Sequence, residues 1–220
     1  GKSFYNPQLP GLIEELQGRG IAEESDGAMV VRFPDDQQLA DKPAIVRKRD
    51  GAANYTTTDL ATLQYRMETW KPSDIVYVTD GRQQLHFQQL FKIFGRWQNA
   101  TSVQLEHVWF GSILGPDGKP FKTRSGDTVR LADLLDEAEE RAFAVVSEKN
   151  PGLLESERRE IARVVGLGAL KYADLSNNRQ SDYIFDWDKM LALQGNTAPY
   201  LQYAYTRVRS IFRKMDAPNF

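Results

Sequence analysis

Two kinds of hydrophobic pattern divide the chain near residue 130. Before it, short runs rich in β-branched residues alternate with longer stretches in which apolar residues recur every three or four positions. Residues 28–33, 44–48, 74–79 and 102–108 read as strands. The third is the clearest, a compact apolar run between Pro72 and Asp80-Gly81. Between them the spacing predicts a helix from about Asp59 to Trp70, with Leu60, Leu63 and Met67 on one face and Thr57 or Thr58 as its cap. A second helix is predicted from Gln83 to Phe94, with Phe87, Leu90, Phe91 and Phe94 together. Strands alternating with helices of this length predict an α/β fold, a parallel sheet with helices on its faces. After residue 130 the strand pattern stops. Residues 131–148, 155–172 and 197–214 read as long amphipathic helices, with the break Asn150-Pro151-Gly152 after the first and Pro199 in the permissive first turn of the third. Residues 174–188 form a polar, aromatic-rich connection, so the second part is predicted to be all-α.

Composition narrows the class. At 220 residues the chain has the length of one to two ordinary domains, and 41% hydrophobic with 26% charged residues describes a globular protein. A mean hydropathy of −0.52 and the absence of any run near 18 apolar residues exclude a spanning helix. The first residues lack the apolar core of a signal peptide, which points to the cytoplasm. With no cysteine there is no disulfide partner, thiolate metal site or thiol nucleophile. Two histidines, His86 and His107, argue against a histidine-rich metal centre and a Ser-His-Asp hydrolase. The net charge of −2 conceals opposing patches. Residues 131–160 carry nine acids against four bases, whereas residues 195–214 carry Arg207, Arg209, Arg213 and Lys214 and no acid.

Five stretches carry chemistry, each beside a plainer structural reading. Tyr55-Thr56-Thr57-Thr58-Asp59 sets a phenol and a carboxylate at a helix start, suited to a guanidinium or simply to the helix dipole. Asp80-Gly81-Arg82-Gln83-Gln84-Leu85-His86 follows the strongest strand, where α/β sheets bind ligands; alternatively Gln83 caps and His86 is an interior histidine. His107-Val108-Trp109-Phe110-Gly111 ends another strand and suits a purine, or a core edge and a turn glycine. The stretch from Gly115 to Gly126 opens on an Asp117-Gly118 turn and carries Lys119, Lys122, Thr123 and Arg124, a basic loop suited to a developing pyrophosphate or to solvent. Neither a Walker A nor a Gly-x-Gly-x-x-Gly motif is present. Finally, Tyr200, Tyr203, Arg207 and Arg213 interleave aromatics and cations along the last helix, as RNA surfaces and ordinary helix packing both do.

In this order and spacing these stretches, together with Ser3-Phe4-Tyr5, Lys171-Tyr172-Ala173-Asp174-Leu175-Ser176, Asp182-Tyr183-Ile184-Phe185-Asp186-Trp187-Asp188 and Gly195-Asn196-Thr197-Ala198-Pro199-Tyr200, resemble the arginyl-tRNA synthetase family of class I. The resemblance implies a ligase that condenses arginine with ATP, accompanied by Mg2+, and esterifies the 3′ end of tRNA(Arg). It implies that Tyr55, Asp59 and Gln83 bind arginine, and that His86, His107, Val108, Phe110, Gly111 and Lys119 bind ATP. Lys122, Thr123 and Arg124 then match the family's form of the KMSKS loop and act catalytically, while Tyr200, Tyr203, Arg207 and Arg213 contact tRNA; no metal is held by the protein. Residues 1–130 would be the C-terminal half of a Rossmann-like catalytic domain, 131–190 a stem-contact region and 191–220 the start of a helical anticodon-binding domain. The HIGH motif of class I enzymes is absent from these residues, so the segment is expected to be a middle piece, inactive in isolation. The alternatives are a non-catalytic tRNA-binding module and a different class I synthetase.

Overall fold

The computed structural model describes residues 2–99, 103–115, 117–119 and 130–215. The chain divides into two units, Gly1–Phe110 and Gly111–Phe220.

In the first unit a 3-10 turn, Lys2–Gln8, leads into helix α1 (Leu9–Gly18). Leu9, Leu12, Ile13 and Leu16 recur at helical spacing and are all buried, although these residues were not assigned to an element from the sequence. Strands β1 (Glu23–Ser25) and β2 (Ala28–Val31) form a hairpin across Asp26-Gly27, both with positive φ. An Asp-Gly pair takes this turn readily because its twist matches that of the flanking strands. Strand β3 (Ala44–Arg47) adds antiparallel to β2. The runs at 28–33 and 44–48 are therefore strands, as predicted, but they lie in an antiparallel three-stranded sheet rather than the expected parallel one.

Helix α2 (Tyr55–Trp70) follows. Its cap is Asn54, not Thr57 or Thr58: the Asn54 side chain accepts a bond from Tyr55 N and donates to Ile45 O at 3.0 Å. Thr57 is buried and turns its hydroxyl onto Val46 O, so it stitches the first turn to β3 instead of capping. Strand β4 (Asp74–Asp80), a 3-10 turn (Gly81–Gln83), helix α3 (Gln84–Gln98) and strand β5 (Gln104–Phe110) form a β-α-β unit. Strands β4 and β5 pair in parallel from Asp74 opposite Gln104 to Asp80 opposite Phe110, bearing out the parallel pairing read from the alternation. Phe87, Leu90, Ile93, Phe94 and Trp97 of α3 join Leu60 and Leu63 of α2 and Met29, Val31 and Val46 of the antiparallel sheet in one core.

The second unit is mainly helical. Strand β6 (Ile113–Leu114) pairs in parallel with β7 (Tyr183–Ile184), a strand inside the segment predicted to be all-α. Helices α4 (Leu131–Lys149) and α5 (Glu155–Leu175) meet on small residues, Ala138, Ala142, Ala162, Gly166 and Ala169. A Cβ on Gly166 would run into the carbonyl of Ala138. After the short α6 (Trp187–Met190), Thr197 caps α7 (Ala198–Lys214) by accepting a bond from Tyr200 N.

Candidate active site

Because α2 starts at Tyr55, four residues before Asp59, the two share one face of the helix. The Asp59 side chain is only 16% exposed and both its oxygens are engaged. Oδ2 accepts from His86 Nε2 at 2.9 Å, and Oδ1 lies 2.9 Å from the ammonium of Lys2. Burial pushes the Asp59 carboxyl up, but the bonds from His86 and Lys2, with the charge of Lys2, outweigh it and hold the group below the usual carboxylate range. His86 is buried on the first turn of α3, and its ring meets the edge of Tyr55 at 4.7 Å between centroids. Lys2 and the Tyr55 ring are largely exposed, so this carboxylate lies near the surface with a cation already on it. His86, which the resemblance expects to bind ATP, contacts Asp59 and Tyr55. Gln83 is exposed at the end of the 3-10 turn, three residues before His86, and makes no capping bond.

Strands β4 and β5 end together at Asp80 and Phe110, the carboxyl edge where open α/β sheets place ligands. Asp80 caps the following turn and is gripped by Arg82, Nε to Oδ1 at 2.7 Å and Nη2 to Oδ2 at 3.1 Å. That bond from Arg82 holds the Asp80 carboxyl below its ordinary range. Gly81 is required by packing, since a Cβ there would lie 2.8 Å from the Trp109 ring. Trp109 lies in the stretch 107–111 but carries no expected role there; its contact with Gly81 joins residues 28 positions apart. His107 bonds Thr79 through Nε2 at 2.8 Å and stacks on Phe87 at 4.3 Å between centroids. Alternation along β5 puts His107 and Trp109 on the α3 side, and Val108 and Phe110 on the opposite face with Val76 and Val78. Of the residues expected to bind ATP, His107 therefore lies on one face of the sheet and Val108 and Phe110 on the other. Gly111 opens the second unit, donating its N–H to Arg179 O at 2.9 Å, and a Cβ on it would collide with the Ser181 backbone.

Asp117-Gly118 forms the expected tight turn: Gly118 has φ 69°, and Lys119 N bonds Asp117 Oδ1 at 3.1 Å. Lys119 is exposed. Lys122, Thr123 and Arg124 lie outside the described residues. On α7, Tyr200, Tyr203, Arg207 and Arg213 are all exposed, so these tyrosines are not buried helix packing. Arg207 donates to the Tyr203 hydroxyl at 2.9 Å. No described helix is long and apolar enough to cross a membrane, and no described cluster of His, Asp and Glu is arranged to hold a metal ion.

The first unit thus holds a parallel β-α-β unit with a polar carboxyl edge, and the second is mainly helical. Residues 1–187 match the family model described as tRNA synthetases class I (R), catalytic domain, and the chain belongs to that family. It is 56% identical over 219 residues to the arginine–tRNA ligase of Chromobacterium violaceum and 57% identical over 219 residues to that of Laribacter hongkongensis. Each alignment takes in 98% of this chain and 38% of the relative, so the chain spans less than half the length of these curated relatives. Among solved structures it resembles the arginyl-tRNA synthetase of Plasmodium falciparum, with a TM-score of 0.77 and 30% identity over 97% of this chain and 35% of that one. The Thermus thermophilus arginyl-tRNA synthetase shares the fold, with a TM-score of 0.73 at 24% identity over 96% of this chain and 41% of that one.

Proposed function

We propose that the complete product of the reading frame encoding these residues is an arginine–tRNA ligase. In the first step the arginine carboxylate attacks the α-phosphorus of ATP, giving arginyl-adenylate and releasing pyrophosphate. In the second, a ribose hydroxyl at the tRNA(Arg) 3′ end attacks the adenylate carbonyl, forming the ester and releasing AMP. The observation that carries the reading is Asp59: an ionised, largely buried carboxylate on which the Lys2 ammonium sits at 2.9 Å, where a substrate guanidinium would be received. Tyr55 and Gln83 complete the arginine pocket.

Class I synthetases use ATP, which enters with Mg2+ on its phosphates as part of the substrate. We assign His107, Val108, Phe110, Gly111 and Lys119 to the nucleotide and Lys122, Thr123 and Arg124 to the pyrophosphate. Cations placed where charge develops in the departing pyrophosphate stabilise the transition state more than the ground state. The exposed Tyr200, Tyr203, Arg207 and Arg213 suit tRNA, with the aromatics stacking and the guanidinium groups pairing phosphates. We assign residues 1–130 to the later half of the catalytic domain, 131–190 to stem contact and 191–220 to the start of the anticodon-binding domain, and place the enzyme in the cytoplasm. The test is charging of tRNA(Arg) by the complete product. ATP-dependent ester formation with arginine supports the reading; tRNA binding with steep salt dependence and no charging would identify a non-catalytic tRNA-binding module instead.

A further inference from the structure

Resting on the reading of Asp59 as the receptor of a substrate guanidinium, we propose that His86 is the positioning residue of that pocket, holding the Asp59 carboxylate and the Tyr55 ring in place from the neighbouring helix. In this role it acts through Asp59 and Tyr55.

Three observations converge on it. His86 Nε2 donates to one carboxylate oxygen, Oδ2, and Lys2 occupies the other, Oδ1, so the histidine fixes the carboxylate while leaving one oxygen to a cation. The same imidazole receives the edge of Tyr55, which lies four residues before Asp59 on α2. One ring on α3 therefore touches two of the three residues assigned to arginine. Third, His86 Nδ1 is buried and meets no hydrogen-bond partner among the described residues. Burying a polar nitrogen without a partner is unfavourable, and an apolar side chain of similar size would avoid it. Packing against Phe87 at 5.0 Å does not call for a histidine; the donor at Nε2 does. A bond to a carboxylate requires a ring hydrogen on Nε2. A carboxylate that must meet a planar guanidinium needs its orientation set beforehand, and His86 sets it.

The geometry separates two substitutions of similar polarity. His86→Gln carries an amide donor out to the position of Nε2, whereas His86→Asn places its donor near Nδ1, on the side that lacks a partner. In the complete product with tRNA(Arg) present, arginine-dependent ATP–pyrophosphate exchange is measured with arginine and ATP varied separately, and each variant is melted. His86→Asn is expected to raise the arginine KM about tenfold or more, the loss of one charge-assisted bond, with the ATP KM and kcat little changed. His86→Gln is expected to restore most of the arginine KM. A merely structural histidine would lower kcat and the melting temperature in both variants alike, without rescue by glutamine, and that result overturns the proposal. So does an unchanged arginine KM in His86→Asn. The Asp59→Asn variant in the same assay separates the two readings. If it raises the arginine KM while His86→Asn does not, the positioning role fails and the pocket stands; if neither does, the pocket assignment itself fails.

Discussion

Replacing Asp59 by asparagine removes a charge while keeping an acceptor for His86, and it isolates what the carboxylate contributes to substrate recognition. A guanidinium about 4 Å from the carboxylate carbon, at an effective dielectric near 20, gains about 4 kcal/mol. Two features of the site reduce that figure. The side chain keeps 16% exposure, and arginine must first displace Lys2 from Oδ1. We expect a net loss of about 3 kcal/mol, near the middle of the range for one partner of a desolvated charge pair. At 1.4 kcal/mol per decade, that raises the arginine KM roughly a hundredfold. The ATP KM should be nearly unchanged, because the ribose, base and phosphates are assigned elsewhere. Since the asparagine oxygen still accepts from His86, stability should fall by no more than about 1 kcal/mol, the net worth of an ordinary hydrogen bond. Pyrophosphate exchange by the complete product in the presence of tRNA(Arg), with arginine and ATP varied in turn, reads both constants. An unchanged arginine KM would refute the reasoning, and so would equal increases for arginine and ATP.

Other outcomes follow from particular contacts. Lys2→Met removes the competing cation from Asp59; because Lys2 is mostly exposed, the arginine KM should fall by no more than about fivefold, and a marked rise would show that Lys2 assists binding. Gly166→Ala should lower stability by about 3 kcal/mol or more in chemical unfolding, because the obstacle is the Ala138 backbone rather than a side chain that can turn away; a wild-type midpoint would contradict the close α4–α5 approach. Burial pushes the Tyr77 phenol up to about 12, opposed by Arg66, so the folded chain holds this proton more tightly than the unfolded chain. That contribution is complete below about pH 10, the ordinary phenol value, and is lost as pH rises toward 12. Tyr77→Phe should lack this part of the alkaline loss, and identical pH profiles for the two proteins would exclude it.

The sequence was most legible where pattern and element coincide. Residues 74–79 are a bounded apolar run and form all of β4 but its last residue; the 131–148, 155–172 and 197–214 periodicities became α4, α5 and α7 within a few residues. Misreadings came from competition between local signals. Thr57 and Thr58 are good caps by type, yet Asn54 reaches both Tyr55 N and the β3 carbonyl of Ile45, so the helix begins earlier. The hairpin at Asp26-Gly27 is absent from the sequence reading because Glu23-Glu24-Ser25 is too short and polar to read as a strand. What local patterning cannot contain is tertiary. The bond between Asp59 and His86 joins residues 27 positions apart on two helices, and β6 with β7 pairs two-residue strands 70 residues apart. Each residue type was visible; the partner was not.

The central claim is that an anionic pocket built on Asp59 selects a cationic amino acid for activation. Its most direct test is ATP–pyrophosphate exchange by the complete product, with tRNA(Arg) present, using arginine and, separately, citrulline, which matches arginine in shape but carries no charge. Arginine should support exchange and citrulline should not, the difference shrinking in Asp59→Asn. Equal exchange with both, or exchange with neither while another amino acid is activated, would contradict the account.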